Sequence, residues 1–265
     1  MAELSADISD FKREDLSFER QTKPVLRIGD TGPAVIVIHE VYGFTPSLAR
    51  FCRWVAGAGF RVYAPILLGT PDAGNVEDVT LGRILQLCVS REFTLFATRK
   101  SSPVVDWLIP LARHAHQESG GKGVGVIGMC LTGGFSLSMA VDPVVLAPVM
   151  SQPGMPAFEP SGLDIDDARL SVVKRRCADE GLCVRGYRFA DDRLSRAVKF
   201  DTLKRELGDG FLGVTFPNSE GNPDGLRAKG RPAHSVFTGD LIDEPGQPTR
   251  MAVDEVIDFF RERLA

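Results

Sequence analysis

Nowhere does the sequence hold an apolar run near the ~20 residues that a membrane-spanning helix needs, so no membrane partner is expected. Runs of lysine and arginine are also missing. With 31 basic against 35 acidic residues the formal net charge is -4, which argues against nucleic acid as a partner. Cysteine is sparse and odd in number: five residues without a repeating spacing. That excludes a disulfide framework and makes a reduced, cytoplasmic protein the expectation. The opening MAELSADISDFKRED is polar and acidic and lacks the basic and apolar regions of a signal peptide. Histidine occurs only four times, so any chemistry that needs an imidazole has few places to be. Repeats and low-complexity tracts are absent as well.

What is present suits a globular enzyme-sized domain. The 265 residues are 43% hydrophobic and 25% charged, enough for an ordinary core. Residues 1–22 read as a polar N-terminal arm, and 23–265 as a single domain. PVLRIG (24–29), AVIVIHE (34–40) and RVYAPIL (61–67) read as strands, with a helix over 46–59 starting at Pro46. Residues 71–121 read as mostly helical, broken at SSP (101–103). GVGVIGM (123–129) and VVLAPVM (144–150) are further strands, with a helix after the first. A helix near 166–179, strands at 182–189 and 211–216 around a helix at 195–207, and an amphipathic helix at 248–264 complete the chain. This alternation predicts an α/β fold, a mostly parallel central sheet with helices on both faces. Ligand chemistry in such a sheet belongs just after the strands.

The stretch VIGMCLTGG (126–134) follows that rule and admits three readings. GVGVIG matches the dinucleotide pattern G-x-G-x-x-G, but its glycines fall inside the strand rather than after it, and no acidic residue follows at the required distance. Ser136 lacks the second glycine of G-x-S-x-G, and it lies too far into the helix to occupy a sharp turn. The third reading is a nucleophile elbow with Cys130 at its tip. Gly128, Gly133 and Gly134 would relieve crowding where strand meets helix. The plain alternative is a buried core cysteine.

A nucleophilic thiol needs a base, and the base an orienting acid. His39 falls in a predicted strand. His114 and His116 precede Cys130 on a predicted helix, where a two-residue spacing points them apart, so the pair reads as a solvated helix face rather than a metal site. His234, in RPAHSVF, is the only histidine after Cys130. The acid should follow the strand at 182–189, where ADDRLS offers both Asp191 and Asp192; either also suits a helix cap.

These residues resemble the dienelactone hydrolase family (carboxymethylenebutenolidases), a branch of the α/β hydrolases. The resemblance rests on HEVYGFTP, G-M-C-L-T-G-G, ADDRLS and PAHSVF, and runs from about residue 25 onward. It implies the α/β-hydrolase fold and a Cys–His–Asp triad of Cys130, His234 and Asp192. It further implies that Glu40 contacts the thiol and gates its activation, and that the backbone N–H groups of Leu131 and Val41 form the oxyanion hole. Neither cofactor nor metal is implied; the partner is a small-molecule ester or lactone. One departure stands out. The prototype enzymes hold a substrate carboxylate with two arginines, one shortly after the histidine, but here SVFTGD follows. Arg91 and Arg231 are the remaining candidates for binding an anion. The implied activity is therefore cleavage of an ester or enol lactone through a thioester. An esterase or thioesterase for another activated acyl group, or a ligand-binding protein without turnover, stands as the alternative.

Overall fold

A computed structural model of the chain describes residues 7–69, 102–154 and 159–265. Among these, eight strands form one sheet in the order β1-β2-β4-β3-β5-β6-β7-β8. The strands are β1 (Lys12–Phe18), β2 (Gln21–Ile28), β3 (Ala34–Ile38), β4 (Arg61–Pro65), β5 (Val124–Met129), β6 (Val145–Ser151), β7 (Val184–Phe189) and β8 (Phe211–Phe216). β1 and β2 are antiparallel to their neighbours; from β4 to β8 every pairing is parallel. The predicted mostly parallel sheet is thus observed.

Each face of the sheet is covered. Along β3 the side chains of Ala34, Ile36 and Ile38 enter one core and those of Val35 and Val37 the other. That division is the two-residue period of a strand buried on both sides. The first core is closed by α2 (Pro103–Ser119), α3 (Gly133–Met139), α4 (Asp167–Glu180) and α5 (Ala197–Leu207). The second is closed by α1 (Pro46–Gly57) and α6 (Pro248–Leu264). Capping explains where two of these helices start. Thr45 Oγ1 accepts from the Leu48 N–H at 3.2 Å, and Ser102 Oγ from that of Val104 at 3.1 Å, each with proline in the next position.

Two expectations need correction and a third is met where the structure describes it. Residues 12–22 of the predicted polar arm are not an arm: they form β1 and the start of β2. Their burial alternates between exposed and half-buried, as an edge hairpin with one wet face requires. The strand expected over 34–40 stops at Ile38, which leaves His39 and Glu40 beyond its carboxyl end. The helical reading of 71–121 is met by α2 over 103–119; its part over 71–101 lies outside the described residues.

The turn from β5 into α3 is tightly packed. A Cβ on Gly128 would stand 2.1 Å from the Thr132 carbonyl oxygen, and one on Gly133 2.6 Å from Pro153 Cα. Both obstacles are backbone and have little room to yield. Gly128→Ala is expected to cost about 1–3 kcal/mol of stability by overpacking, read as a lowered denaturant midpoint in chemical unfolding.

Candidate active site

Cys130 is the first residue past β5 and opens a short 3-10 turn, Cys130–Thr132, that leads into α3. Its φ is 55°, a left-handed conformation that non-glycine residues avoid and that recurs where backbone strain serves a site. The residue is 8% exposed. Ser136, by contrast, lies inside α3, and its hydroxyl donates back to the Gly133 carbonyl. The glycines of GVGVIG are buried in β5 and its approach, inside the strand rather than in a loop after it.

Thr132 fastens this turn to β3. Its Oγ1 accepts from the Met129 N–H at 3.0 Å and lies 3.0–3.2 Å from the carbonyls of Ile38, His39 and Met129. The strand end that carries Glu40 and Val41 is thereby fixed against the strand end that carries Cys130 and Leu131.

His234 lies in the loop between β8 and α6, and its Nδ1–H donates to Asp192 Oδ2 at 2.7 Å. Both side chains are nearly inaccessible. Asp191, the other acid of the pair, is exposed. Neither caps the following helix, whose N-cap is Arg196. Burial by itself pushes the His234 pKa down. The Asp192 carboxylate and the neighbouring Cys130 thiol outweigh that and hold it well above the ordinary histidine value. Burial also opposes the charge on Asp192, yet the His234 charge and hydrogen bond, with the N–H groups of Leu194 and Ser195, keep its pKa below the usual aspartate range. The His234 Nε2 is buried and has no hydrogen-bond partner among the described residues.

Two residues that the motifs did not reveal hold the loops in place. Asp240, fully buried, accepts the backbone N–H groups of His234 and Ser235 at 2.8 and 3.0 Å. Arg188 donates to the carbonyls of Ser195 and Ala190 at 2.7 and 2.9 Å, closing the acid loop around Asp192. His39, which opens the HEVYGFTP motif, shapes the loop after β3. Its Nε2 accepts from the N–H groups of Leu67 and Leu68, so its proton sits on Nδ1, which donates to the Glu40 carbonyl at 2.6 Å. Burial lowers its pKa to about 4 and keeps it neutral.

Glu40 is 4% exposed, and its carboxylate is held by Ser235, Thr238 and Gln152. The resemblance implied a contact with the thiol; the hydrogen bonds observed run instead to the His234 loop and the end of β6. Burial raises the Glu40 pKa, against the opposing charge of His234 and the hydroxyls of Thr238 and Ser235. A cavity of about 160 Å³, open to solvent, is lined by Glu40, Tyr42, Lys229, Ser235, Thr238 and Asp240 among others. Cys130 and His234 are not in its wall. Val41 and Leu131 are both buried beside these groups. Arg231 is exposed on its loop, and Arg91 falls outside the described residues. His114 lies on α2 facing Glu118 at 3.6 Å. No cluster of three or more metal-ligating side chains occurs among the described residues. No helix there is long and apolar enough to cross a membrane.

A thiol on a strained strand-to-helix turn, with a buried acid and then a histidine following in that chain order on a mostly parallel sheet, defines the α/β-hydrolase fold. The family model of the dienelactone hydrolase family matches residues 24–162, and the chain belongs to that family. Carboxymethylenebutenolidase 1 of Cupriavidus pinatubonensis is 32% identical over 114 residues, which cover 42% of this chain and 46% of that relative. The chain thus aligns with about half the length of that relative. Among solved structures, the dienelactone hydrolase of Anabaena variabilis superposes with a TM-score of 0.59 at 15% identity, covering 97% of this chain and all of that one. A dienelactone hydrolase-like promiscuous phosphotriesterase from metagenomic libraries gives 0.61 at 18% identity, covering 96% and 98%. At such identities these structures bear on the fold alone.

The His234–Asp192 pair makes stability depend on pH. A histidine whose folded pKa is raised contributes fully below its unfolded value of about 6.5, and the contribution fades as pH rises through the folded pKa. An aspartate with a lowered pKa contributes above about 3.9 and loses the contribution as pH falls. The stability gap between wild type and Asp192→Asn should therefore be widest between these limits and shrink at higher pH. In NMR titration the His234 midpoint should lie above 6.5 in the wild type and fall in Asp192→Asn, where burial acts with less opposition.

Proposed function

We propose that this protein is a cysteine-dependent hydrolase that cleaves an activated ester or enol-lactone bond through a thioester on Cys130. The observation that carries this reading is the His234 imidazole: anchored by buried Asp192 on one nitrogen, unpartnered on the other, and close enough to Cys130 to feel its thiol. That leaves Nε2 available to handle the thiol proton.

In this mechanism His234 takes the proton as Cys130 Sγ attacks the acyl carbonyl, and Asp192 fixes the tautomer and steadies the imidazolium. Backbone N–H groups of Leu131 and Val41 receive the developing oxyanion; donors of this type contribute roughly 3–4 kcal/mol of transition-state stabilisation. The alcohol or enol departs with the proton from His234. Water, deprotonated by the same imidazole, then releases the acid and restores the thiol. Glu40 gates the cycle: its carboxylate, when close to Cys130, disfavours a second negative charge on sulfur.

Leaving-group chemistry sets the substrate class. A thiolate is readily expelled from its own tetrahedral adduct, so the substrate must carry a comparably good leaving group. Enol lactones, aryl esters and thioesters qualify; a peptide bond does not. The exposed position of Arg231 and the lack of an arginine in the SVFTGD stretch directly after His234 favour an acyl group other than the doubly clamped carboxylate of the prototype. An esterase or thioesterase reading therefore stands beside the lactonase one, and a panel of the three substrate types separates them.

After a pulse of aryl ester and acid quench, intact-mass and peptide mapping should place the acyl adduct on Cys130. Cys130→Ala should lower kcat/KM by roughly a thousandfold or more, about 4 kcal/mol of transition-state stabilisation. Undiminished turnover in that variant would refute the mechanism and favour a ligand-binding role or another nucleophile.

A further inference from the structure

Gln152 is the first residue after β6, with a φ of 30° and no exposed surface. A long, flexible amide in a left-handed backbone conformation is not a packing solution that burial alone would select. Its polar atoms account for the placement. The backbone N–H donates to the Tyr187 carbonyl at 2.7 Å, which ties it to β7. Its Oε1 accepts the Val236 N–H at 3.2 Å, two residues past His234, and also the hydroxyl of Ser151. Its Nε2 donates to Glu40 Oε1 at 3.1 Å. One side chain therefore joins the end of β3 to the His234 loop across the end of β6.

We propose that Gln152 is a positioning residue that clamps the Glu40 carboxylate against the His234 loop and so keeps its charge from Cys130. The clamp deepens the gating role given to Glu40 above and rests on that reading. Of the three side chains holding Glu40, Ser235 and Thr238 belong to the His234 loop itself; Gln152 alone reaches it from a different strand. Loosening Gln152 frees the carboxylate on its β6 side and removes the acceptor of the Val236 N–H in the same step.

Charged and titratable groups face Glu40 from several elements. His234 and Asp240 do so from the β8–α6 loop. His39 hydrogen-bonds its carbonyl, and Asp224 and Lys229 share the cavity wall. All five are unaltered by changes at Gln152. A pH-dependent effect of such changes that requires Glu40 is thus separable from theirs.

The test is the pH profile of Cys130 alkylation by iodoacetamide, with the adduct mapped to that cysteine, in four proteins: wild type, Gln152→Leu, Glu40→Gln and the double variant. Gln152→Leu should move the half-maximal point to higher pH by half a unit or more, because the released carboxylate repels the forming thiolate. In the Glu40→Gln background the same substitution should move it by less than 0.2. Gln152→Glu keeps the size and the acceptor for Val236 but sets carboxylate against carboxylate; it should give the same upward shift and serves if the leucine variant does not fold. No shift, a downward shift, or an equal shift in both backgrounds overturns the clamp. If neither Glu40→Gln nor Gln152→Leu moves the profile, the gating role falls and the clamp with it. If Glu40→Gln moves it and Gln152 variants do not, gating stands and the clamp alone is wrong.

Discussion

The Thr132 hydroxyl sits where two strand ends must be held in register, and the site depends on it. It accepts the Met129 N–H and has a single proton to offer the carbonyls of Ile38, His39 and Met129. Through this one group the end of β5 is joined to the end of β3. Cys130 and Leu131 lie on one side of the junction, Glu40 and Val41 on the other. The left-handed conformation of Cys130 is tolerable because glycine stands on both flanks of the turn and the hydroxyl closes it from below. A thiol held this way cannot relax into the ordinary helical conformation without breaking that contact.

Around this junction the loops are held by groups that do no chemistry. Asp240 supports the histidine loop through backbone N–H groups, Arg188 supports the acid loop through carbonyls, and His39 supports the loop after β3. All three are buried, and each satisfies polar backbone that would otherwise be stranded at the ends of the sheet. Reactive side chains are thus placed by a surrounding layer of polar residues fixed to the main chain, the arrangement that preorganised catalysis requires.

Much of this could be read from the sequence where local chemistry decides it. β8 and α6 fall where the pattern put them, because turn residues bound the one and amphipathic spacing marks the other. The end of β3 was misread because AVIVIHE stays strand-like in composition while the chain must turn after Ile38 to bring Glu40 over the elbow. β1 was hidden by Lys12, Arg13, Glu14 and Asp15, whose charges look like a solvated tail but suit the wet face of an edge hairpin. The choice between Asp191 and Asp192 could not be made locally either. It depends on which way the acid loop faces, and Arg188, from within β7, sets that. Gln152 left no signal at all: a lone amide forms no motif, and its partners lie 112 and 84 residues away in the chain.

The support given by Asp240 has a consequence for how such a protein can change. It grips the main chain of His234 and Ser235, not the imidazole. The loop therefore owes its shape to an aspartate that plays no part in bond cleavage. Under the proposed mechanism, loss of the histidine side chain would end turnover while the walls around the proposed site stayed where they are. A scaffold of this kind can give up turnover and retain recognition by single substitutions, which opens a short path from a hydrolase to a receptor for the same ligand.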